Sequence, residues 1–245
     1  MIVTEVFAKS ILSKSQIYDY VINPYIGCSH SCAYCYAAFM KRFTGHREKW
    51  GDFVDVKINA PDLLAKELKR KQMGRVWVSG VCDPYQPLEE QYKLTRKCLE
   101  LLVNKGWPVT IQTKSPLVLR DIEILEKSKN IEVGFSIATA DEGMRRIFEL
   151  GAPSIAERIN ALEVLHRHGV KTFVMIAPIL PGAAKLANQL GGKVDYVVVD
   201  RMNYYYANKI YKENKMEWAK EESFFIHESD DLKKGLESIG IHVKN

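Results

Sequence analysis

The chain has 245 residues, 47% of them apolar, and a net charge of +5, enough to bury one substantial core, alone or with a tail. No stretch reaches the ~18–20 uninterrupted apolar residues of a membrane span, and the first residues lack a basic region followed by a long apolar core, so a cytoplasmic location is expected. Five cysteines with no even framework argue against a secreted disulfide scaffold. The positive residues bunch at Lys41-Arg42, His46-Arg47-Glu48-Lys49 and Lys66 to Arg75, which permits an anionic partner without requiring one.

Taken in chain order, a first strand is predicted around Tyr20–Pro24. Short apolar, β-rich runs follow at Val76–Ser79, Val109–Thr113, Ile131–Ile137, Thr172–Ala177 and Val194–Val199. The runs are short, as expected of strands covered on both faces, and segments of helical character separate them. Pro61 opens a helix over Asp62–Lys71, the run Lys93–Asn104 is helical, and Ser115-Pro116 starts Leu117–Lys127. Ser154 and Glu157 form a capping box before Ile155–His168, which Gly169 stops. After Arg201 aromatics mix with cations, and Ser229-Asp230-Asp231 introduces a last amphipathic helix to Ile239. Six βα units predict an α/β fold with a parallel sheet, either a partial barrel or a doubly wound open sheet. In both, functional groups gather in the loops at the carboxyl ends of the strands.

One such loop is unusual. Cys28-Ser-His-Ser-Cys32-Ala-Tyr-Cys35 places three thiols in eight residues, a density that points to ligation of a soft metal centre. Three cysteines on a four-iron cube leave one iron open to a substrate or cofactor. A structural zinc is the competing reading; it needs a fourth ligand, and His30 is within reach in sequence. Cys98, on the helical run with Thr95 and Leu102, reads as a small buried hydrophobe. His166 and His168, near a helix end, read as C-terminal charges or surface residues rather than ligands. The chain has no Walker loop, no G-x-S-x-G, no H-E-x-x-H and no G-x-G-x-x-G.

The C-x3-C-x2-C spacing resembles the cluster motif of the radical S-adenosylmethionine (SAM) enzymes. Asn23 to Ala37, Trp50-Gly51 leading to Val56-Lys57, Ser79 to Glu89, Gln112 to Ser115 with Arg120-Asp121, and Pro178 to Gly182 are similar to the spore photoproduct lyase-like branch of that superfamily. The resemblance implies a partial (β/α)6 TIM-type barrel over residues 1–200, with 201–245 as a C-terminal extension packed on it. It implies a [4Fe-4S] cluster on Cys28, Cys32 and Cys35 and SAM on the open iron, cleaved by one electron to a 5′-deoxyadenosyl radical that abstracts hydrogen. The protein's part is to place the cofactor.

By position, the same resemblance directs Ser79, Gly80 and Asp83 to the amino group of SAM, Ser136 to its ribose or methionyl part, Arg158 to its carboxylate and Tyr34 to its adenine. Thr113 and Lys114 would add a cation at the mouth for a carboxylate or phosphate. Cys82 lies in the region where the branch's lyase carries a hydrogen-donating cysteine, although its Val-Cys-Asp-Pro setting departs from that motif. A flavodoxin or ferredoxin is the implied electron donor. A nucleic-acid base is the candidate target, with Tyr204–Tyr206 as a candidate stacking surface. RNA, a peptide or a small metabolite is the alternative substrate, and a non-enzymatic iron–sulfur or zinc protein that binds nucleic acid is the contrasting class.

Overall fold

The computed structural model describes residues 1–201 and 205–244. Seven parallel strands form its main sheet: β1 (Tyr20–Ile22), β2 (Val76–Val78), β3 (Val109–Thr113), β4 (Ile131–Ser136), β5 (Lys171–Ile176), β6 (Tyr196–Val199) and β7 (His242–Lys244). They stand side by side in chain order, and Ser13–Lys14 adds an antiparallel edge beside β1. A doubly wound sheet reverses its strand order at a switch point. This one never reverses, so the winding is that of a barrel. The β7 edge and the Ser13–Lys14 edge are not paired with each other, so the barrel is partial and open.

The six expected strands are all present, with bounds within two residues. The seventh, β7, comes from the C-terminal segment and pairs with β6. Helices α1 (Ala60–Glu67), α2 (Leu94–Asn104), α4 (Ile155–Arg167) and α5 (Glu222–Ser238) pack on the main core, while α3 (Glu142–Phe148) packs through Phe148 against Tyr34 of the cysteine loop. The capping box at Ser154 and Glu157 is formed. Leu117–Lys127 is a 3-10 turn over Pro116–Asp121 followed by a short α-helix, Ile122–Leu125.

The last helix starts at Glu222, seven residues before the expected Ser229. Phe224 and Phe225 pack against the core and extend the helix upstream, and Ser229 is buried inside it rather than capping it. Gly235 lets this helix approach closely, since a Cβ there would lie 2.7 Å from Ala187 Cβ.

A second sheet was not foreseen. Ile2–Val6 pairs parallel with Phe53–Lys57, which pairs antiparallel with Tyr25–Ile26. Val54, Val56 and Tyr25 form a satellite core with Leu94, and this sheet supports the approach to the cysteine loop. Among the described residues no helix is long and apolar enough to cross a membrane.

Candidate active site

The carboxyl ends of the strands are tied loop to loop. Asn23 Oδ1, after β1, accepts from Gly80 N at 2.8 Å and Val81 N at 3.1 Å. Asp83, after β2, accepts from Thr113 Oγ1 at 2.6 Å and Lys114 N at 2.7 Å at the end of β3. Gln112 on β3 donates to Ser136 Oγ on β4 at 2.9 Å. Thr139 Oγ1 donates to Pro181 O, beyond β5, at 2.7 Å. The expected mouth is therefore real, and Ser79, Gly80, Asp83, Thr113, Lys114 and Ser136 all stand around it.

The cysteine loop is clamped from two sides by glycines. A Cβ on Gly51, whose φ is +102°, would lie 2.3 Å from Ser31 Oγ; one on Gly151 would lie 2.3 Å from Ser29 O. Gln86, at the far end of the β2 loop, donates to Gly27 O at 3.2 Å and accepts from Ser29 N at 3.1 Å. The segment after α3 supplies the rest: Ala33 N donates to Phe148 O at 2.8 Å, Gly151 N to His30 O at 2.9 Å, and Cys32 bridges to Glu149.

Burial pushes all three thiols up: Cys28 well above the ordinary range, Cys32 to about 12, and Cys35 to a smaller degree because backbone N–H groups, Lys114 and Trp50 oppose it. The titration of Cys28 also responds to Cys32 and Cys35, and that of Cys32 to Cys35, so the three share one neighbourhood. Without metal they are therefore protonated, and loading a cluster releases protons.

Among the described residues no three His, Cys, Asp or Glu side chains converge on a single-ion site. The surroundings do fit a larger sulfur-ligated group. The three buried side-chain polar atoms with no hydrogen-bond partner among the described residues are Ser29 Oγ, His30 Nδ1 and Trp50 Nε1. All lie in or against the cysteine loop; His30 Nδ1 still has the Asp83 carboxylate 3.3 Å away, whereas Ser29 Oγ and Trp50 Nε1 are left in want of a partner.

Asp83 is more committed than its sequence position implied. Besides Thr113 and Lys114 it accepts from Tyr85 N at 2.9 Å, and His30 Nδ1 stands 3.3 Å from its Oδ2, outside hydrogen-bonding geometry. Burial alone would raise its carboxyl, but the charge of His30 and the bonds from Thr113 and Lys114 outweigh burial and lower it to about 2.

A depressed carboxyl stabilises the fold above its unfolded value of 3.8, and that contribution is lost as pH falls towards 2. It corresponds to about 2 kcal/mol. Acid unfolding of the metal-free protein is therefore expected to steepen below about pH 4. The variant Asp83→Asn should lose that part of the pH dependence in a melting-temperature series. An unchanged series would remove Asp83 from this role.

Beside the loop lies a buried ion group that the sequence reading contained only in part. Glu149 accepts from the Tyr34 hydroxyl and from Arg158 Nη2 at 2.6 Å, with Lys114 Nζ 3.8 Å away. Burial would raise its carboxyl, but Lys114 and Arg158 hold it down and ionised. Arg158 is fully buried and also donates to Ser136 O at 3.0 Å and Pro153 O at 2.7 Å. Lys114 reaches over the Tyr34 ring at 5.6 Å and stays cationic, because the ionised Glu149 carboxylate offsets its burial.

Ser79 Oγ donates to Ile22 O at 3.3 Å, and Gly80 O accepts from Tyr36 OH. Cys82 is partly buried against the satellite core of Tyr25 and Val56; burial, opposed by Ser79 and Lys57, pushes its thiol up to about 12.

Other candidates stand apart from the mouth. Cys98 is fully buried, as expected. His166 Nδ1 lies 3.1 Å from Thr172 Oγ1 and His168 Nδ1 2.6 Å from Glu126, at the opposite end of the sheet. Tyr204 lies outside the described residues; Tyr205 and Tyr206 are exposed.

A sequentially wound, partial parallel barrel with one buried and two half-buried cysteines on one loop of its carboxyl edge defines a class of α/β proteins with a thiol-rich loop at an open barrel mouth. Within it, the chain belongs to the radical SAM superfamily, whose family model matches residues 22–184. An uncharacterized protein of Methanocaldococcus jannaschii is 39% identical over 188 residues, covering 76% of this chain and 68% of the relative. One of Mycobacterium tuberculosis is 32% identical over 190 residues, 72% of this chain and 56% of the relative. The radical SAM Nalpha-GlyT isomerase of Pseudomonas phage M6 is 25% identical over 162 residues, 65% of this chain and 33% of its own.

Among solved structures, spore photoproduct lyase complexed with dinucleoside spore photoproduct matches at TM-score 0.74 and 16% identity, over 98% of this chain and 81% of the lyase. A double mutant of that lyase with bound AdoMet and the dinucleoside matches at TM-score 0.72 and 18% identity, over 99% and 81%. Streptococcus suis SuiB bound to its precursor peptide matches at 0.58 and 18% identity, over 92% and 48%. At these identities the likeness establishes the fold.

Proposed function

We propose that the chain is a radical SAM enzyme that abstracts hydrogen from a nucleic-acid base. In this reading Cys28, Cys32 and Cys35 hold a [4Fe-4S] cluster; with SAM bound, the pair supplies one-electron cleavage to a 5′-deoxyadenosyl radical. The observation that carries the cofactor assignment is the burial of Ser29 Oγ and Trp50 Nε1 beside the three thiols with no hydrogen-bond partner among the described residues.

The residues at the mouth have separable tasks. Ser79 and Gly80 offer the turn for the amino group of SAM, and Ser136 the contact to its ribose or methionyl part. Lys114 is the cation placed for a carboxylate. Arg158 acts at one remove, because its donors are committed to Glu149, Ser136 O and Pro153 O. Asp83 and Thr113 hold the two loops in register, and Tyr34 closes the site beside the last ligand. Cys82 is the candidate hydrogen donor to the product radical.

For the substrate, support comes from the nucleoside-bound fold relatives and from the surface beside Cys35. Phe39 and Phe43 are exposed there, with the Arg42 guanidinium 5.3 and 4.7 Å from their ring centroids. Arg47 and Lys49 extend the exposed positive patch. Cations interleaved with aromatic rings suit a strand of nucleic acid. A flavodoxin or ferredoxin is the proposed electron donor.

The test is anaerobic reconstitution, addition of SAM and dithionite, and assay of 5′-deoxyadenosine with base-deuterated DNA, intact and carrying thymine lesions. Deuterium is expected in the 5′-deoxyadenosine, and binding is expected to weaken as salt rises. Cleavage of SAM with neither deuterium transfer nor salt-sensitive binding would overturn the nucleic-acid reading and leave the enzyme class standing.

A further inference from the structure

The Trp50-Gly51 turn packs on the centre of the cysteine loop without any catalytic task assigned to it. Lys49 O and Asp52 N close the turn at 3.0 Å, and Asp52 O accepts from Ile2 N at 2.7 Å, so it is anchored to the small sheet. Gly51 lies so near Ser31 that no side chain fits between them. The Trp50 ring is fixed edge-on to Phe53, centroids 5.8 Å apart at 86°; Phe53 is in turn stacked on His46 at 4.0 Å.

This packing buries the indole N–H with no acceptor in hydrogen-bonding geometry among the described residues. It faces the sulfur of Cys35 without completing a hydrogen bond to it. An amide-like donor left unpaired in the interior costs about 1–3 kcal/mol, and an indole needed only for packing could have been a phenylalanine, as at position 53. The orphan is explained if its acceptor arrives with the cofactor.

We propose that the Trp50 indole N–H donates a hydrogen bond to a sulfur of the cluster, on the Cys35 side, and thereby raises its reduction potential. This rests on the reading that the three cysteines hold an iron–sulfur cluster. The physical cause is simple: reduction adds negative charge to the sulfurs, and a donor aimed at them stabilises the reduced form more than the oxidised one. Trp50 is a positioning and tuning residue, not one that touches substrate.

The test is an EPR-monitored redox titration of reconstituted wild type and Trp50→Phe, with iron and sulfide measured on both. The variant keeps an aromatic ring against Phe53 and removes only the donor. Its midpoint is expected to move negative, by about a tenfold loss in the reduction equilibrium, or about 59 mV for one electron, at unchanged cluster content. A fully loaded variant with the wild-type midpoint overturns the proposal.

Should the variant load poorly, electron–nuclear double resonance on reduced wild type carrying ring-15N tryptophan decides: a 15N coupling together with an exchangeable proton coupling supports the contact, and their absence overturns it. Failure of the wild type itself to assemble a cluster is a separate result, which removes the cofactor reading and this inference with it.

Discussion

Alanine at any one of Cys28, Cys32 or Cys35 is expected to abolish cluster assembly and bring 5′-deoxyadenosine formation to background, while the chain stays folded. The two halves of that expectation have different origins. Cofactor loss follows because three thiolates are the whole protein contribution to the proposed centre, so two cannot hold the cube. Folding survives because the loop is fixed by contacts other than its thiols: the Gln86 pair on Gly27 and Ser29, the Ala33 and Gly151 bonds to the segment after α3, and the glycine clamps on Ser29 and Ser31.

Deleting one sulfur there should cost on the order of 1 kcal/mol, as small core truncations do. Iron and sulfide analysis with circular dichroism separates the two effects. Cys98→Ala, deep in the core, serves as the control that retains the cluster. Cys82→Ala should also retain it, together with SAM cleavage, and alter only the fate of the substrate radical. A Cys32→Ala protein that still assembled a full cluster and cleaved SAM would remove the assignment on which the site is built.

The strands were legible because each is a short run rich in β-branched and aromatic residues set between helical segments, and a sheet covered on both faces leaves that mark in the sequence. The order of the strands was not, since periodicity carries no information about which edge the next strand joins; sequential pairing settles it in favour of a partial barrel. Ile2–Val6 escaped notice because it is an edge strand, exposed over most of its length and without apolar alternation, and Tyr25–Ile26 is only two residues long.

The site divided in the same way. Local motifs identified the cysteines and the loops after each strand. Glu149 had no local sign: it ends a charged helix and reads as any surface carboxylate until the fold brings Tyr34 from 115 residues away and Lys114 from another strand. Arg158 was singled out by its place after the fourth strand, but its commitment to Glu149 could not be read from spacing.

That buried carboxylate gives the largest expected stability effect. Glu149→Ala removes the countercharge of Arg158, which is fully buried, and of Lys114, whose side chain is only 14% exposed. It also strips the Tyr34 hydroxyl of its acceptor. Removing one partner from a buried ion group costs about 3–5 kcal/mol, because the remaining charge is stranded. For a chain of this length that is a fall of about 6–20 °C in melting temperature.

The damage should also reach the cofactor loop, since Glu149 bridges to Cys32 and its neighbour Phe148 accepts from Ala33 N; cluster loading is expected to drop along with stability. Glu213→Ala, which breaks an exposed pair with Lys209, should change stability by less than about 0.5 kcal/mol. Adding Arg158→Met to Glu149→Ala should recover part of the loss, because the penalty comes mainly from the uncompensated charge and the two changes are coupled. If Glu149→Ala melted with the wild type, or the double variant were worse by the full sum of the two single changes, the ion group would be a passive neighbour of the cysteine loop rather than its support.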